Sequence, residues 1–218
     1  IEGWRAMPRV RPPFPVESGL WGKPTVINNV ETLANVPPIL ERGAAWFASL
    51  GTDRARGTKV FGLSGQVARP GIVEVEMGST LRRLVHDIGG GVRDGRGLKA
   101  VLVGGPSGFL ASPADLDTPM EPRGALAPGT GGLAVLGDGV SIPEVVRTLA
   151  HFNADESCGK CTPCREGTAR MREILDRAAR GAATARDGDE LRFLGEVVGV
   201  ASLCGLGQAA PASILSGL

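Results

Sequence analysis

The sequence predicts an α+β fold in which a small sheet domain is followed by a bundle of helices. Three observations indicate this fold. Period-two apolar patterns occur between residues 58 and 137, helical patterns dominate residues 141–218, and a proline-rich extended segment precedes both. A chain of 218 residues, 42% of them hydrophobic, is long enough to bury a core of its own. We therefore expect a globular protein with three regions.

The first region, residues 1–49, opens with extended backbone. The segment RVRPPFPVESGLWGKPTVINN contains four prolines, which exclude helix and favour extended conformations. We expect a helix over residues 29–33 that resumes, after an interruption at Pro37 and Pro38, as far as Phe47. Ile1 is not an initiator methionine, so we expect this segment to continue an earlier part of a longer chain.

The second region, residues 50–140, has the pattern of a β-grasp (ubiquitin-like) domain. KVFGLSGQV and GIVEVEM alternate in hydrophobicity around the turn-forming ARPG, which predicts a hairpin. Ser79 or Thr80 can cap a helix over STLRRLVHDI, and a run of glycines ends that helix. LKAVLVGG predicts a buried strand, and GGLAVLG predicts another after an irregular stretch at 111–131.

The third region, residues 141–218, is expected to be a helical bundle. The segments SIPEVVRTLAHFNADE, TARMREILDRAARG and DELRFLGEVVGVASL each carry apolar residues at helical spacing. We expect a short last helix after Pro211.

Composition excludes several classes of function. Lys and Arg number 24 against 23 Asp and Glu, so no strong net charge attracts nucleic acid, and an aromatic content of 4% offers few stacking platforms. No apolar run is long enough to span a bilayer, and no secretory signal precedes the fold, so we expect no direct membrane insertion and a cytoplasmic location. With two histidines and no serine motif, we predict no catalytic residues of the triad kind.

The four cysteines carry the strongest functional signal. Cys158, Cys161 and Cys164 form a C-x2-C-x2-C run in ESCGKCTPCREG, and Cys204 follows 40 residues after the third. We expect Gly159 and Pro163 to keep the backbone out of helix until Cys164. A helix that starts just beyond offers free N–H groups and a positive dipole end, which favour ionised thiolates.

Four interpretations of these thiols compete. Disulfides need an oxidising compartment. A structural zinc site usually pairs two C-x2-C knuckles. Cysteines that merely pack in a core are not expected at regular intervals. A [4Fe-4S] cluster needs four thiolates, and three in one loop with a remote fourth satisfy it. We therefore predict that the four cysteines are metal ligands and that Lys160 and Arg165 partly offset the negative charge of a cluster. The zinc interpretation stays open.

Two long motifs resemble one known family. ESCGKCTPCREG with the later SLCGLGQAAP, and RPPFPVESGLWGKPTVINNVETLANVP independently, resemble the FMN-carrying, iron–sulfur subunit that oxidises NADH in NADH:quinone oxidoreductase and in soluble NAD-linked hydrogenases and formate dehydrogenases. The segments between them resemble its β-grasp domain. The resemblance implies that residues 1–49 are the tail of an α/β flavin-binding domain and that the bundle carries a [4Fe-4S] cluster.

The resemblance also implies cofactors, partners and further site residues. NADH reduces FMN in this family, and electrons pass singly through the cluster to other iron–sulfur subunits of a multi-subunit redox complex, in some cases at the cytoplasmic face of a membrane. By motif position, Asn28, Asn29 and Thr32 are expected to contact FMN, while Phe14 and Arg11 are expected at the nicotinamide nucleotide.

The sequence departs from the family in one respect. The glycine-rich nucleotide loop and the acidic Gly-Glu-Glu segment of the family are absent. We therefore expect these 218 residues to hold the cluster and to bind FMN or NADH weakly or not at all. The alternative function is a non-catalytic β-grasp binding module whose helical scaffold is stabilised by four cysteines around zinc.

Overall fold

The structure is a computed structural model of the chain and describes residue 3 and residues 6–218. It divides into two compact units, Ile1–Phe47 and Ala48–Leu218. The prediction drawn from Ile1 lies outside the described residues.

The first unit consists of turns and short helices. A 3-10 turn at Leu20–Gly22 precedes the helices α1 (Val30–Ala34), α2 (Val36–Arg42) and α3 (Ala44–Ala48). The break expected at Pro37 and Pro38 lies instead at Asn35. Both prolines belong to the first turn of α2, where a backbone N–H has no partner within the helix, so they begin the helix and do not interrupt it. None of the residues in these three helices is buried.

The second unit contains a five-stranded sheet of order β2-β1-β5-β3-β4. Its strands are β1 (Thr58–Gly65), β2 (Gly71–Glu76), β3 (Leu98–Val103), β4 (Phe109–Ala111) and β5 (Gly132–Gly137). The hairpin of β1 and β2 is confirmed, with Phe61 opposite Val73. β5 runs parallel to β1 and antiparallel to β3, and β4 is antiparallel to β3.

The helix expected after Ser79 or Thr80 has an unusual geometry. Thr80 Oγ1 accepts a hydrogen bond from the Arg83 N–H at 3.3 Å, as a capping residue does. Most of the helix, Arg83–Ile88, is nonetheless a π-helix, and the Gly89 N–H donates to the Leu84 carbonyl five residues back. The wider turn still buries its apolar side, which includes Leu84.

The strand β4 was not predicted from the sequence. It has only three residues, so it shows no period-two pattern, and only its last residue, Ala111, falls in the stretch that was expected to be irregular. It pairs with β3, and a residue near the end of the chain also holds it, because the Leu110 N–H donates to Ser216 Oγ at 2.9 Å.

β3 separates two apolar cores, because successive side chains of a strand point to opposite faces of the sheet. Val101 and Val103 belong to a core formed with the hairpin and the π-helix. Ala100 and Leu102 belong to a second core, which contains side chains from all four helices of the bundle. One sheet therefore supports both the β-grasp part and the helical part of this unit.

The bundle consists of α4 (Ile142–Asp155), α5 (Thr162–Ala179), α6 (Asp187–Ala201) and α7 (Gly205–Leu215). The three predicted amphipathic helices are confirmed. The last helix does not follow Pro211 but contains it. Burial explains how α7 tolerates the lost N–H donor, because Ala210, Pro211 and Ile214 are all buried and packing fixes the helix on both sides of the proline.

Candidate metal centre

The three clustered cysteines lie where α5 begins. Cys158 is in the loop after α4, Cys161 is the residue that caps the N-terminus of α5, and Cys164 lies in its first turn. The backbone was expected to stay non-helical until Cys164, but α5 already begins at Thr162. Pro163 causes no break because a proline in the first turn removes an N–H that has no partner within the helix. Gly159 supplies the turn with φ of +78° that a side chain would oppose.

Cys204 caps a second helix. α6 ends at Ala201, and after two connecting residues Cys204 takes the capping position of α7. Two of the four cysteines thus stand at helix N-termini, where free N–H groups and the positive end of the helix dipole favour a negative charge. All four thiols are free, and Cys164 is buried while the others are half-buried.

The structure places the N-terminus of α7 beside the first turn of α5, although Cys204 is distant in sequence. A Cβ built on Gly207, in the first turn of α7, would lie 3.0 Å from the Cβ of Cys164. The backbone N–H of Leu203, beside Cys204, is the main cause that lowers the pKa of Cys161. The connection between α6 and α7 therefore lies directly against the cysteine loop.

Burial and hydrogen bonding act in opposite directions on the two cysteines of α5. Burial is the main cause that raises the pKa of Cys164, while a hydrogen bond with Ser157 lowers it. Backbone N–H groups, with Leu203 first, lower the pKa of Cys161. The thiolate is the form of cysteine that binds metal, so the hydrogen bonds around Cys161 favour that form and the burial of Cys164 opposes it.

Four cysteine thiolates are a donor set that suits either a zinc ion or a [4Fe-4S] cluster, and the two differ in how far apart the sulfurs lie. Among the described residues, no three or more His, Cys, Asp or Glu side chains are close enough to hold one metal ion together. A tetrahedral zinc site places its sulfurs about 3.8 Å apart, given the usual zinc–sulfur length. A cubane of four irons gives each thiolate its own iron and so spaces them more widely.

Hydrogen bonds hold the cysteine loop in place. Ser157 Oγ accepts from the Gly159 N–H at 3.3 Å and lies 3.3 Å from Cys164 Sγ. Arg165 donates from Nη1 to the Gly159 carbonyl at 2.8 Å and from Nε to Glu166 at 2.8 Å. Arg165 therefore stabilises the loop, and the adjacent carboxylate of Glu166 balances much of its charge.

Three neighbours of the cysteines were missed by sequence reasoning: Ser157, Ser202 and Gly207. Both serines are close to a cysteine in sequence, since Ser157 precedes Cys158 and Ser202 is two residues before Cys204. A hydroxyl beside a ligand was therefore a signal available in the sequence. The role of Gly207 was not available, because it depends on how closely α7 approaches α5.

The flavin and nucleotide residues predicted in the first unit do not form a comparable cluster. Asn29 caps α1, and its Oδ1 accepts from the Glu31 N–H at 2.8 Å, so this side chain is used locally. Asn28, Thr32 and Arg11 are exposed, and Phe14 is 49% exposed. Their roles in binding FMN and NADH stay predictions.

Across the bundle, ion pairs connect the helix before the loop to the helix after it. Asp176 on α5 accepts from Arg147 Nε at 2.7 Å and lies 2.8 Å from Nε2 of His151, both on α4. These two partners, His151 first, lower the pKa of Asp176. They fix the angle at which α4 leads into the cysteine loop.

The β-grasp sheet and the helical bundle each match a known family. Residues 144–218 match the family described as the NADH-ubiquinone oxidoreductase-F iron-sulfur binding region, of the 4Fe-4S kind. Residues 59–126 match the SLBB domain family. The predicted fold class and the resemblance are confirmed.

Curated relatives extend the match over the whole chain. The NADP-reducing hydrogenase subunit HndC of Solidesulfovibrio fructosivorans is 46% identical over 99% of this chain and 45% of its own length. The second NADH-quinone oxidoreductase F subunit of Rhizobium meliloti is 41% identical over 100% of this chain and 53% of its own length. The corresponding F subunit of Mycobacterium tuberculosis is 42% identical over 100% and 50%. The chain thus spans about half the length of the curated relatives it matches.

A solved structure shows the same fold. The NAD+-reducing [NiFe]-hydrogenase in its H2-reduced state matches with a TM-score of 0.89 and 40% identity, over 96% of this chain and 36% of that one. The chain is accordingly a homologue of the F subunits of NADH-quinone oxidoreductase and of their hydrogenase counterparts, and it carries their iron–sulfur binding region.

Proposed function

We propose that this chain is the electron-transfer part of an NADH-oxidising flavoprotein, in which Cys158, Cys161, Cys164 and Cys204 ligate one [4Fe-4S] cluster. The observation that carries the proposal is that Cys161 and Cys204 occupy the N-cap positions of α5 and α7, whose first turns approach each other closely at Cys164 and Gly207. When bound, the cluster accepts and releases one electron at a time. In the whole protein it receives electrons from FMN, which NADH reduces.

The chain itself contributes position and electrostatics. The loop and the first turn of α5 present three thiolates, and the connection from α6 to α7 presents the fourth. Backbone N–H groups and two helix dipoles offset negative charge there. The bundle around them keeps the thiolates in place through the apolar core shared with the sheet.

The proposal extends to the cofactor-binding side of the whole protein. Asn28, Asn29 and Thr32 are the candidates for contacts to FMN, with Phe14 and Arg11 at the nicotinamide nucleotide. The half-exposed ring of Phe14 and the exposed Asn28 and Thr32 are compatible with that use, because they leave surface for a ligand. These residues alone are too few to enclose a dinucleotide, so we expect weak flavin and NADH binding by the chain as it stands.

Partners and location follow from the same proposal. A one-electron carrier of this kind passes electrons to other iron–sulfur subunits of a redox complex, and the named relatives are subunits. A cytoplasmic location, in some complexes at a membrane face, is proposed on the same ground. Within the described residues, no helix combines the length and the apolar character that crossing a bilayer requires.

Reconstitution tests the function. After anaerobic incubation of the 218-residue chain with iron and sulfide, we expect about four irons and four sulfides per chain and a paramagnetic resonance signal on one-electron reduction. Stoichiometric zinc without iron, and no reversible redox signal, would contradict the proposal and favour the zinc-stabilised scaffold.

A single ligand can be removed with a matched control. Cys204→Ser should lower the iron content and degrade the resonance signal, because a serine hydroxyl is a poor substitute for the fourth thiolate. Hydrogen exchange of the β1–β2 hairpin should not change. Gly205→Ala is the control at the next residue, where an added methyl group meets no atom within 4 Å, and it should bind iron as the unchanged chain does.

A further inference from the structure

Two serine hydroxyls lie at the cysteine site, and one of them is in contact with a cysteine sulfur. Ser157 Oγ is 3.3 Å from Cys164 Sγ, which is within hydrogen-bond distance for sulfur. Either atom can donate when Cys164 is a thiol. A thiolate carries no hydrogen, so once Cys164 is a ligand only the hydroxyl can donate. Ser157 also accepts from the Gly159 N–H, which orients its hydrogen away from that amide and towards the sulfur.

Ser202 has a different environment that leads to the same conclusion. It is 5% exposed, and its Oγ has no hydrogen-bond partner among the described residues. A buried hydroxyl without an acceptor is unfavourable, and its presence calls for an explanation. The first turn of α5 lies close to this hydroxyl, because a Cβ built on Gly207 would be 2.4 Å from Ser202 Oγ and 3.0 Å from the Cβ of Cys164. A charged sulfur ligand is the acceptor that this hydroxyl lacks.

The backbone fixes Ser202 in that place. Its carbonyl accepts from Gln208 Nε2 at 3.1 Å, and its N–H donates to the Val198 carbonyl at 3.2 Å. On its other side, a Cβ at Gly207 would lie 2.4 Å from Ser202 Oγ, so α7 leaves the hydroxyl little room to turn away.

We propose that Ser157 donates its hydroxyl to the ligating sulfur of Cys164, that Ser202 donates to a ligating sulfur of the same site, and that together they raise the reduction potential of the centre. This inference rests on the proposed cluster. A hydrogen bond to a ligating sulfur stabilises the more negative, reduced state more than the oxidised state, so the centre accepts its electron more readily. The serines are positioning residues that act on the ligands and need not touch iron.

The test is a redox titration followed by paramagnetic resonance, on the reconstituted chain and its variants. Ser157→Ala and Ser202→Ala should each keep about four irons and shift the midpoint potential to more negative values. The double variant should shift the midpoint potential further. Ser157→Thr, which keeps the hydroxyl, should have the midpoint potential of the unchanged chain. Ser213→Ala is the control, because this fully buried serine of α7 interacts with the Ala210 carbonyl instead of a cysteine.

The outcomes separate the two proposals. If the unchanged chain binds no iron, the proposed function fails. If it binds iron but both alanine variants keep its potential, the serine proposal is overturned while the function stands. A shift in Ser213→Ala as large as in the serine pair would also overturn it, as would loss of iron from both single variants. If only Ser202→Ala loses iron, the serine proposal stands or falls with Ser157→Ala: a midpoint potential more negative than that of the unchanged chain supports it, and an equal one overturns it.

Discussion

At the scale of single residues, the position of Cys204, the proposed fourth ligand, depends on a glycine that is distant from the cysteine motif. A Cβ built at Gly207 would lie 2.4 Å from Ser202 Oγ and 3.0 Å from the Cβ of Cys164. The first distance is too short for a real contact and the second is tighter than usual, so only glycine lets the first turn of α7 lie this close to the cysteine loop. Cys204 is three residues away and moves with that turn.

Gly207→Ala should therefore separate α7 from the loop. We expect a loss of about 1–3 kcal/mol in the free energy of unfolding, which is typical of an overpacked site, and a lower iron content after reconstitution. Urea unfolding and iron analysis measure the two effects.

The control for this substitution is Gly205→Ala in the same helical turn. Its added methyl group meets no atom within 4 Å, so alanine should leave stability unchanged or raise it by roughly 0.5–1 kcal/mol, as expected for a helix. Equal effects of both substitutions would contradict the close-approach explanation.

At the scale of elements, the corner between α5 and α6 is closed by one carboxylate. Asp187, the first residue of α6, forms an ion pair with Arg177 in the last turn of α5 and accepts from the Thr184 N–H at 2.7 Å. Arg177 is the main cause that lowers the pKa of Asp187 to about 2. The side chain is 8% exposed, so this is a shielded contact and not a solvated surface pair.

Acid should weaken this corner in a defined range of pH. An aspartate with a lowered folded-state pKa contributes stability above its unfolded value of about 3.9. That contribution is lost as the pH falls through the folded value of about 2. Asp187→Asn should thus destabilise the protein at neutral pH, and its difference from the unchanged chain should shrink between about pH 4 and pH 2.

Asp189→Asn is the matched control, since Asp189 is 88% exposed and lies in the same first turn. Both aspartates interact with the helix dipole, but only Asp187 is buried and bound by Arg177 and Thr184. A pH profile of unfolding free energy that is the same for both variants would show that the dipole, and not the corner contact, is responsible.

The elements differ in how well the sequence predicts them. The cysteine loop and the hairpin were predicted because their signals are local. The π-helix was predicted only as a helix, because six residues cannot distinguish its period from that of an α-helix. β4 and Gly207 were missed, because each is determined by a long-range contact: Ser216 for the strand, and the approach of α7 to Cys164 for the glycine. Ser202 was missed because its burial arises from tertiary packing.

At the scale of the whole molecule, the described structure of the second unit has one sheet between two cores. Because β3 contributes to both cores, a substitution that destabilises the helical core should also destabilise the sheet. The four-thiol site draws its rigidity from that arrangement, since α5 lies in the helical core and begins at the cysteine loop.

Met171→Ala tests this coupling. Met171 is fully buried on α5, so we expect a loss of about 2–5 kcal/mol from the cavity and the lost apolar contacts. Amide hydrogen exchange should accelerate in β3 as well as in α5. Phe193→Ala, at a position on α6 that is 65% exposed, removes a larger side chain and should change exchange little. Faster exchange confined to the helices would mean that the two cores unfold independently.

The alternation along β3 also limits how this protein can be recombined. The two family matches, residues 59–126 and 144–218, suggest two domains that could be exchanged separately between proteins. Yet Leu102 and Leu110 belong to the sheet segment and complete the core of the helical one. A helical domain transplanted without β3 and β4 would expose its apolar side, so the smallest transferable unit is the sheet together with the bundle.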